Sequence, residues 1–386
     1  MTERVLVAMS GGVDSSVAAA LLVEAGDEVV GATMKLWGGA SDSGCCSVAD
    51  VDDARRVAQQ LGIVHHVFNF GDDFETHVVA PYVREHAAGR TPNPCIECNR
   101  HLKFDRFLHR ATQLGFDAVA TGHHARVTSD SGRWQLRRGA DRAKDQSYVL
   151  SMLGQPQLSR VRFPVGDLTK ADVRDRAAAL GLRTAAKADS QDVCFITSTG
   201  GREAFLGERI ELRPGRVVDA ATGREIGQVP ALELVTIGQR RGMGAAGATG
   251  VAASRSRHGM GAGGAAGSPP RPGMAGAGDV SPTPLPGQRR YAITVDTATR
   301  TVTAGTEADL LTDALVVSLL GWSWTDYPVP AGTAVSAQVS AHGTPRPAVL
   351  GADASLRWRE PQNRVAPGQT VAIYDGDSVL GSAIVS

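Results

Sequence analysis

Apolar and polar positions alternate in two different textures along the chain. Over residues 4–122, short β-rich apolar runs are separated by stretches with helical spacing. The pattern predicts strands at Arg4 to Met9, Glu28 to Met34, Val64 to Phe70 and Asp117 to Thr121, with helices beginning near Val13, Ser47, Asp72 and Cys98. In the second of these helices Val48, Val51, Ala54, Val57, Ala58 and Leu61 share a face, and Ser47 is the expected N-cap. Strand–helix alternation of this kind predicts an α/β fold with a doubly wound parallel sheet, its ligand crevice lying at the carboxyl ends of the strands. Leu168 to Leu182 reads as an amphipathic helix capped by Thr169.

From about Gly207 the helical spacing gives way to short β-runs: Arg216 to Asp219, Ala231 to Ile237, Tyr291 to Asp296, Thr301 to Gly305, Ala314 to Leu320, Thr333 to Ser340 and Thr370 to Tyr374. They predict a small C-terminal β-barrel or sandwich. Met243 to Gly287 interrupts them with Gly, Ala and Pro and almost no large apolar residue, so it is expected to be a disordered insertion at about 243–288. Its Arg255, Arg257, His258 and Arg271 could touch RNA weakly, but the segment is expected to act as a solvated linker.

A chain of 386 residues exceeds one small core. The expected domains are a nucleotide-binding domain over 1–150, a central domain over 151–230 and a β-domain over 231–386. Forty basic against forty acidic residues give zero net charge, which argues against a uniformly basic nucleic-acid coat but leaves local patches open. With no apolar leader and no run long enough to span a membrane, a soluble cytoplasmic protein is expected. Five cysteines are too few for a disulfide scaffold.

The candidate chemistry begins at Ser10-Gly11-Gly12-Val13-Asp14-Ser15-Ser16, where the first strand passes into the first helix. Glycines leave backbone N–H groups uncovered, and the helix start adds unpaired donors and a positive dipole end, which together suit a phosphate. A Walker loop would place Lys after its last glycine, and none stands here. Met34 and Gly122 end two further strands at the same sheet edge, as candidates for packing on a base and for close approach to a nucleotide.

The second candidate is Thr91-Pro92-Asn93-Pro94-Cys95-Ile96-Glu97-Cys98-Asn99. Two prolines stiffen the approach to a helix expected to open at Cys98, where the dipole would favour a thiolate. Cys95-x-x-Cys98 has half the spacing of a zinc site, but no second such pair exists and the sole cysteine beyond it is Cys194, so no metal site is expected. Cys95, Cys98 and Cys194 holding an iron–sulfur cluster stays open as an alternative. Cys45-Cys46 reads as incidental, with no base nearby. Lys144-Asp145-Gln146 offers a cation and two polar side chains able to meet bases or phosphates, or a helix cap at Asp145.

The Ser10 heptad resembles the loop of N-type ATP pyrophosphatases, and together with Thr91 to Asn99 it resembles the tRNA-specific 2-thiouridylase family. Further blocks of that family follow in order: Ala120-Thr121-Gly122-His123-His124, Lys144 to Tyr148, Asp189-Ser190-Gln191-Asp192-Val193-Cys194-Phe195-Ile196, Gly238 to Gly242, and Pro367-Gly368-Gln369 with Tyr374-Asp375-Gly376. The resemblance implies that ATP lies against Ala8, Met9, Ser10, Gly11, Gly12, Val13, Asp14, Ser15, Ser16, Met34 and Gly122, with Asp14 helping to place Mg²⁺. It implies tRNA or base contacts at Asn93, Pro94, Cys95, His123, Lys144, Asp145 and Gln146. The implied reaction replaces the oxygen at carbon 2 of the wobble uridine by sulfur. ATP adenylates the base, Cys194 receives a persulfide from a sulfur-carrier protein or cysteine desulfurase, and Cys98 opens it through a Cys98–Cys194 disulfide.

Two positions depart from the family. Some members carry Asp where Cys95 stands, and many carry Arg near Ser340-Ala341. The competing expectations are an iron–sulfur-dependent tRNA thiolase using Cys95, Cys98 and Cys194, a small-molecule adenylating synthetase with the same loop, and a non-catalytic nucleotide- or RNA-binding module.

Overall fold

The computed structural model describes residues 2–36, 47–189, 193–196, 200–243, 289–316, 321–353 and 355–386. Its first layer is a parallel sheet of β1 (Arg4–Ala8), β2 (Glu28–Lys35), β3 (Val64–Asn69) and β4 (Ala118–Ala120), extended by a short strand Val161–Arg162, in the order β3-β2-β1-β4-(161–162). Successive side chains of a strand face opposite ways. Val5 and Val7 therefore pack with Val17, Ala18, Val57 and Val173 on one face, while Leu6 and Ala8 pack with Phe74, Leu102, Phe104 and Phe107 on the other. Helices Val13–Glu24, Val48–Gln60 and Lys170–Ala179 cover the first face. The chain leaves β1 for β2 on one side and returns to β4 on the other, so the topological switch point lies just beyond Ala8, where the glycine loop begins.

The expected strands and the helices at Val13 and Ser47 form within a residue or two of their predicted ends, but the helix capped by Thr169 spans Lys170–Ala179 where Leu168 to Leu182 is expected, and the strand expected over Ala314 to Leu320 runs Leu311–Leu315. Ser47 and Thr169 each accept from the backbone N–H three residues on, at 3.2 Å in both cases. Two expectations fail. The helix after Asn93 opens at Pro94, not Cys98, because the Asn93 side chain caps it and Pro fits the first turn. Ala231 to Ile237 is no strand: Leu232–Leu234 forms a helical turn that buries Glu233 against the Arg213 backbone N–H (3.0 Å) and Nε (2.8 Å).

A hairpin unforeseen in the sequence follows β4: β5 (Ala125–Asp130) and β6 (Arg133–Arg138), joined at Ser131-Gly132 with φ of 49° and 78°. Its second strand pairs with the last strand of the chain, Ser378–Ile384, through Arg137 and Ser378. The hairpin thus joins the antiparallel sheet formed by Leu311–Leu315, Ser323–Trp324, Ala334–Gln338, Arg346–Leu350, Leu356–Asn363, Thr370–Asp375 and Ser378–Ile384. A separate four-stranded sheet takes Gly215–Asp219 and Glu225–Val229 with Tyr291–Asp296 and Thr301–Gly305, so it draws strands from both sides of residue 230. Met243, expected at the edge of the insertion, is fully buried in that sheet's core beside Val217 and Val302. The rest of the insertion, Cys45-Cys46 and residues 317–320 lie outside the described residues. No described helix is long and apolar enough to cross a membrane.

Candidate active site

A cavity of about 580 Å³ opens at the switch point. One end is built by the glycine loop. Gly11 sits at φ +72°, and a Cβ there would stand 2.2 Å from the Asp50 carbonyl oxygen. Only glycine meets both demands. Gly12 caps helix Val13–Glu24 with no side-chain bond, so the first N–H groups of the helix are not spent on a cap. Ser15 Oγ donates to Gly12 O (3.2 Å) and accepts from the Ser10 N–H (3.2 Å), and Ser16 Oγ donates to Gly12 O (2.8 Å). Lys187 ties the loop from outside, donating to Gly11 O (2.9 Å), Asp50 (2.6 Å) and Asp53 (2.7 Å). The loop is therefore shaped before any ligand arrives.

Asp14 faces the cavity with both carboxylate oxygens 2.7 Å from Lys170 Nζ and one 3.0 Å from His124 Nε2. Burial pushes this carboxyl up, but His124 and Lys170 outweigh it and hold it below the ordinary Asp value. Lys170 also reaches Asp189 at 3.0 Å, which in turn pairs with Lys144 (2.9 Å) and Arg174 (2.6 Å). Burial opposes the Asp189 charge, and Lys144 and Lys170 overcome it by a wide margin. Asp14, Lys170, Asp189 and Lys144 thus form one alternating web along the wall.

His123 is buried, its Nδ1 2.6 Å from Thr121 Oγ1 and its Nε2 3.4 Å from Lys103 Nζ. Burial, then Lys103 and His124, hold it well below its usual value. It is neutral, and since an ammonium only donates, Nε2 accepts and Nδ1 carries the proton toward Thr121. Gly122 approaches protein as closely as any ligand could: a Cβ there would meet Ser15 N at 2.5 Å.

The other end of the cavity carries sulfur. Asn93 Oδ1 accepts from Cys95 N (3.1 Å) and Ile96 N (3.4 Å), setting Cys95 in the first turn and Cys98 one turn later. Opposite lies Val193 to Ile196. Val193 holds φ +54°, a region a β-branched residue rarely adopts and which costs about 1–3 kcal/mol. Two contacts fix it. The Val193 N–H points at Cys95 Sγ, 3.5 Å away, and Phe195 sits edge-on to Phe74 (5.6 Å) and Tyr82 (5.4 Å) and beside Phe205 (5.1 Å). Cys95, Cys98 and Cys194 are each partly buried and all line the cavity.

Of the residues expected at the site, Ala8, Met9, Ser10, Asp14, Ser15, Met34, Pro94, Cys95, Cys98, Gly122, His123, Lys144, Asp145, Gln146 and Cys194 line this one cavity. Gly11, Gly12, Val13, Ser16 and Asn93 stand behind the lining as supports. Asp145 has a structural duty as well: its carboxylate accepts from Ser147 N (3.0 Å), Gly139 N (3.0 Å) and Arg138 Nη1 (2.8 Å). Sequence reasoning gave no individual role to His124 and Asp189, which it quoted only within family blocks, and missed Thr33, Lys103, Lys170 and His342; His342 and Ala341 bring the C-terminal part of the chain to the cavity. Lys170 stood in plain view beside the cap Thr169, but nothing local tied it to Asp14. Among the described residues no group of three His, Cys, Asp or Glu side chains is arranged to hold a metal ion.

Residues 3–198 match the family described as tRNA methyl transferase HUP domain, and residues 314–385 the aminomethyltransferase beta-barrel domain. A tRNA-specific 2-thiouridylase MnmA of Chloroflexus aggregans is 42% identical over 394 residues, covering 99% of this chain and 98% of its own. The Mycobacterium avium protein of the same name is 43% identical, covering 99% of each. The solved NMN synthetase of Francisella tularensis is 18% identical with a TM-score of 0.30, covering 49% of this chain and 67% of its own. With both ends of the cavity built from the expected blocks and identity above 40% along the full length of these relatives, the chain belongs to the tRNA-specific 2-thiouridylase family.

Proposed function

We infer that this protein uses ATP to replace the carbon-2 oxygen of a tRNA uridine, at the wobble position, with sulfur. The observation that carries this reading is that the pyrophosphate-type loop and three thiols line one cavity. An enzyme that only made AMP and pyrophosphate would have no use for the second end.

The residues divide the work. The helix N-terminus and Ser10 receive the phosphates, and Lys170, now on Asp14, moves its charge onto them as they enter. The Asp14 carboxylate would hold Mg²⁺ entering with the triphosphate, and the ion would supply positive charge at the phosphates. We assign neutral His123 and the Lys103 ammonium, which both line the cavity, to the meeting of a flipped-out base with the α-phosphate. The uridine oxygen attacks that phosphate, and AMP becomes the leaving group that oxygen could not be. Cys194 brings the sulfur as a persulfide received from a carrier protein or cysteine desulfurase, and a thiol of the Cys95-x-x-Cys98 turn opens it.

The test is nucleoside mass spectrometry of tRNA incubated with the protein, ATP and a persulfide donor. The reading expects 2-thiouridine and one AMP per sulfur inserted. ATP consumption with no thiolated nucleoside would reject it.

A further inference from the structure

We propose that Gln338, the last residue of strand Ala334–Gln338, is a positioning residue. Tied to the Arg138–Asp145 ion pair, it sets the turn 340–343 so that His342 meets the tRNA at the mouth of the cavity. The proposal rests on the sulfur-transfer reading above and adds to it a residue that touches no substrate.

Chemistry dictates how the Gln338 amide is oriented. Gln338 and Arg138 are both buried. Arg138 Nη1 can only donate, so the Gln338 oxygen Oε1 faces it, at 3.0 Å. The amide nitrogen is thereby turned the other way, where it donates to Ser340 O (2.9 Å) and Ala341 O (3.2 Å). The Gly343 N–H closes the turn on Ser340 O at 3.0 Å. Exchanging the two ends of the amide would set a donor against the guanidinium and an oxygen against two carbonyls, so one orientation satisfies every partner.

Arg138 is itself anchored. Its Nη1 also donates to Asp145 Oδ2 (2.8 Å), and its guanidinium lies 3.6 Å from the centre of the Tyr374 ring. The side chains of this ion pair are only 10% and 6% exposed, so water does little to loosen it. Asp145 also accepts from the Gly139 and Ser147 N–H groups, both at 3.0 Å. Lys144 and Gln146, on either side of Asp145, line the cavity, and so do Ala341 and His342 of the turn. One knot therefore fixes two pieces of the cavity wall whose anchors, Arg138 and Gln338, stand 200 residues apart.

The cavity holds about 580 Å³, which suits small ligands and a single inserted base but not a tRNA. The remainder of the tRNA has to lie across the mouth, where Lys144, Gln146 and His342 are exposed. Ala341 offers no polar side chain, so His342 is the group that the turn delivers. An imidazole there can donate to a phosphate or a ribose, the contacts that place a nucleic acid without reading its sequence.

The experiment measures KM for tRNA and for ATP in steady-state thiolation by wild type, Gln338→Glu, His342→Ala and the double variant, with melting temperatures alongside. Gln338→Glu keeps an oxygen for Arg138 but sets a second oxygen against the Ser340 and Ala341 carbonyls, which frees the turn and leaves the Arg138–Asp145 pair in place. Its KM for tRNA is expected to rise about tenfold, with kcat and KM for ATP within about twofold of wild type. His342→Ala is expected to raise KM for tRNA by a similar factor. The double variant is expected to be no worse than the worse single variant, because His342 contributes nothing once the turn is free. Effects that multiply in the double variant, or a lowered melting temperature with KM for tRNA unmoved, would overturn the proposal and leave Gln338 a structural residue. If Gln338→Glu does not fold, His342→Ala decides, and an unchanged KM for tRNA overturns the proposal. A wild type that consumes ATP without making 2-thiouridine would instead overturn the sulfur-transfer reading.

Discussion

The two ends of the cavity are built on opposite principles. The anion end is shaped by backbone, with Gly11 at φ +72° pressed on Asp50 and Gly122 pressed on Ser15, and braced by the Lys187 side chain, which bridges the loop to Asp50 and Asp53. The thiol end draws on side chains: an Asn93 cap, a sulfur contact to the Val193 N–H, and Phe195 in an aromatic cluster. A phosphate needs donors that are in place before it arrives, because reorganising them would cost the stabilisation they provide. Sulfur transfer asks the reverse. A thiol that must meet several partners in turn is better served by contacts it can leave.

Substitutions at each end should therefore fail in different ways. The largest effect is expected from Gly11→Ala, which adds a strained φ and a Cβ against the Asp50 carbonyl, costing about 3 kcal/mol of stability. Displacing the loop should also lower pyrophosphate formation on the order of 100-fold, read by denaturant unfolding and a phosphate-release assay. An unaffected protein would show that the loop is not preformed. Lys170→Met comes next. It removes about 2 kcal/mol of charge-assisted bonding from the phosphate end, so pyrophosphate formation should fall about thirtyfold with the fold intact by circular dichroism.

Phe195→Ala probes the thiol end and should separate the two activities. Thiolation should drop about tenfold while pyrophosphate formation stays near wild type, both measured in one reaction. The smallest effect concerns acid. Because the folded value of Asp14 is depressed, its pairing contributes stability above the unfolded carboxyl value and loses it as pH falls through the lower folded value. Removing Lys170 withdraws a cause of that depression, so the acid limb of pyrophosphate formation in Lys170→Met should move to higher pH. A limb that stays in place would mean that Asp14 does not govern it.

How legible each end was in the sequence follows the same division. The anion end was readable because its chemistry is local: two glycines between a strand and a helix expose donors whatever the rest of the chain does. The web on Asp14 was not, since Lys170, His124 and Asp189 come from three separated segments and meet only through the sheet. Asn93 was read as a base contact and is seen here capping the helix at Pro94, a task to which an Asn before Pro is equally suited. That cap also moves the helix start from Cys98 to Pro94, which reverses the order of the two thiols relative to the dipole. The hairpin at Ser131-Gly132 carried a turn signal, yet its polar, Arg-rich strands hid a pairing partner some 240 residues away.

The most direct test is a single turnover of Cys194→Ser with tRNA and ATP, following pyrophosphate and 2-thiouridine in the same samples. Two separable ends predict pyrophosphate within about twofold of wild type and no 2-thiouridine at all. Wild-type 2-thiouridine, or loss of pyrophosphate along with it, would contradict them.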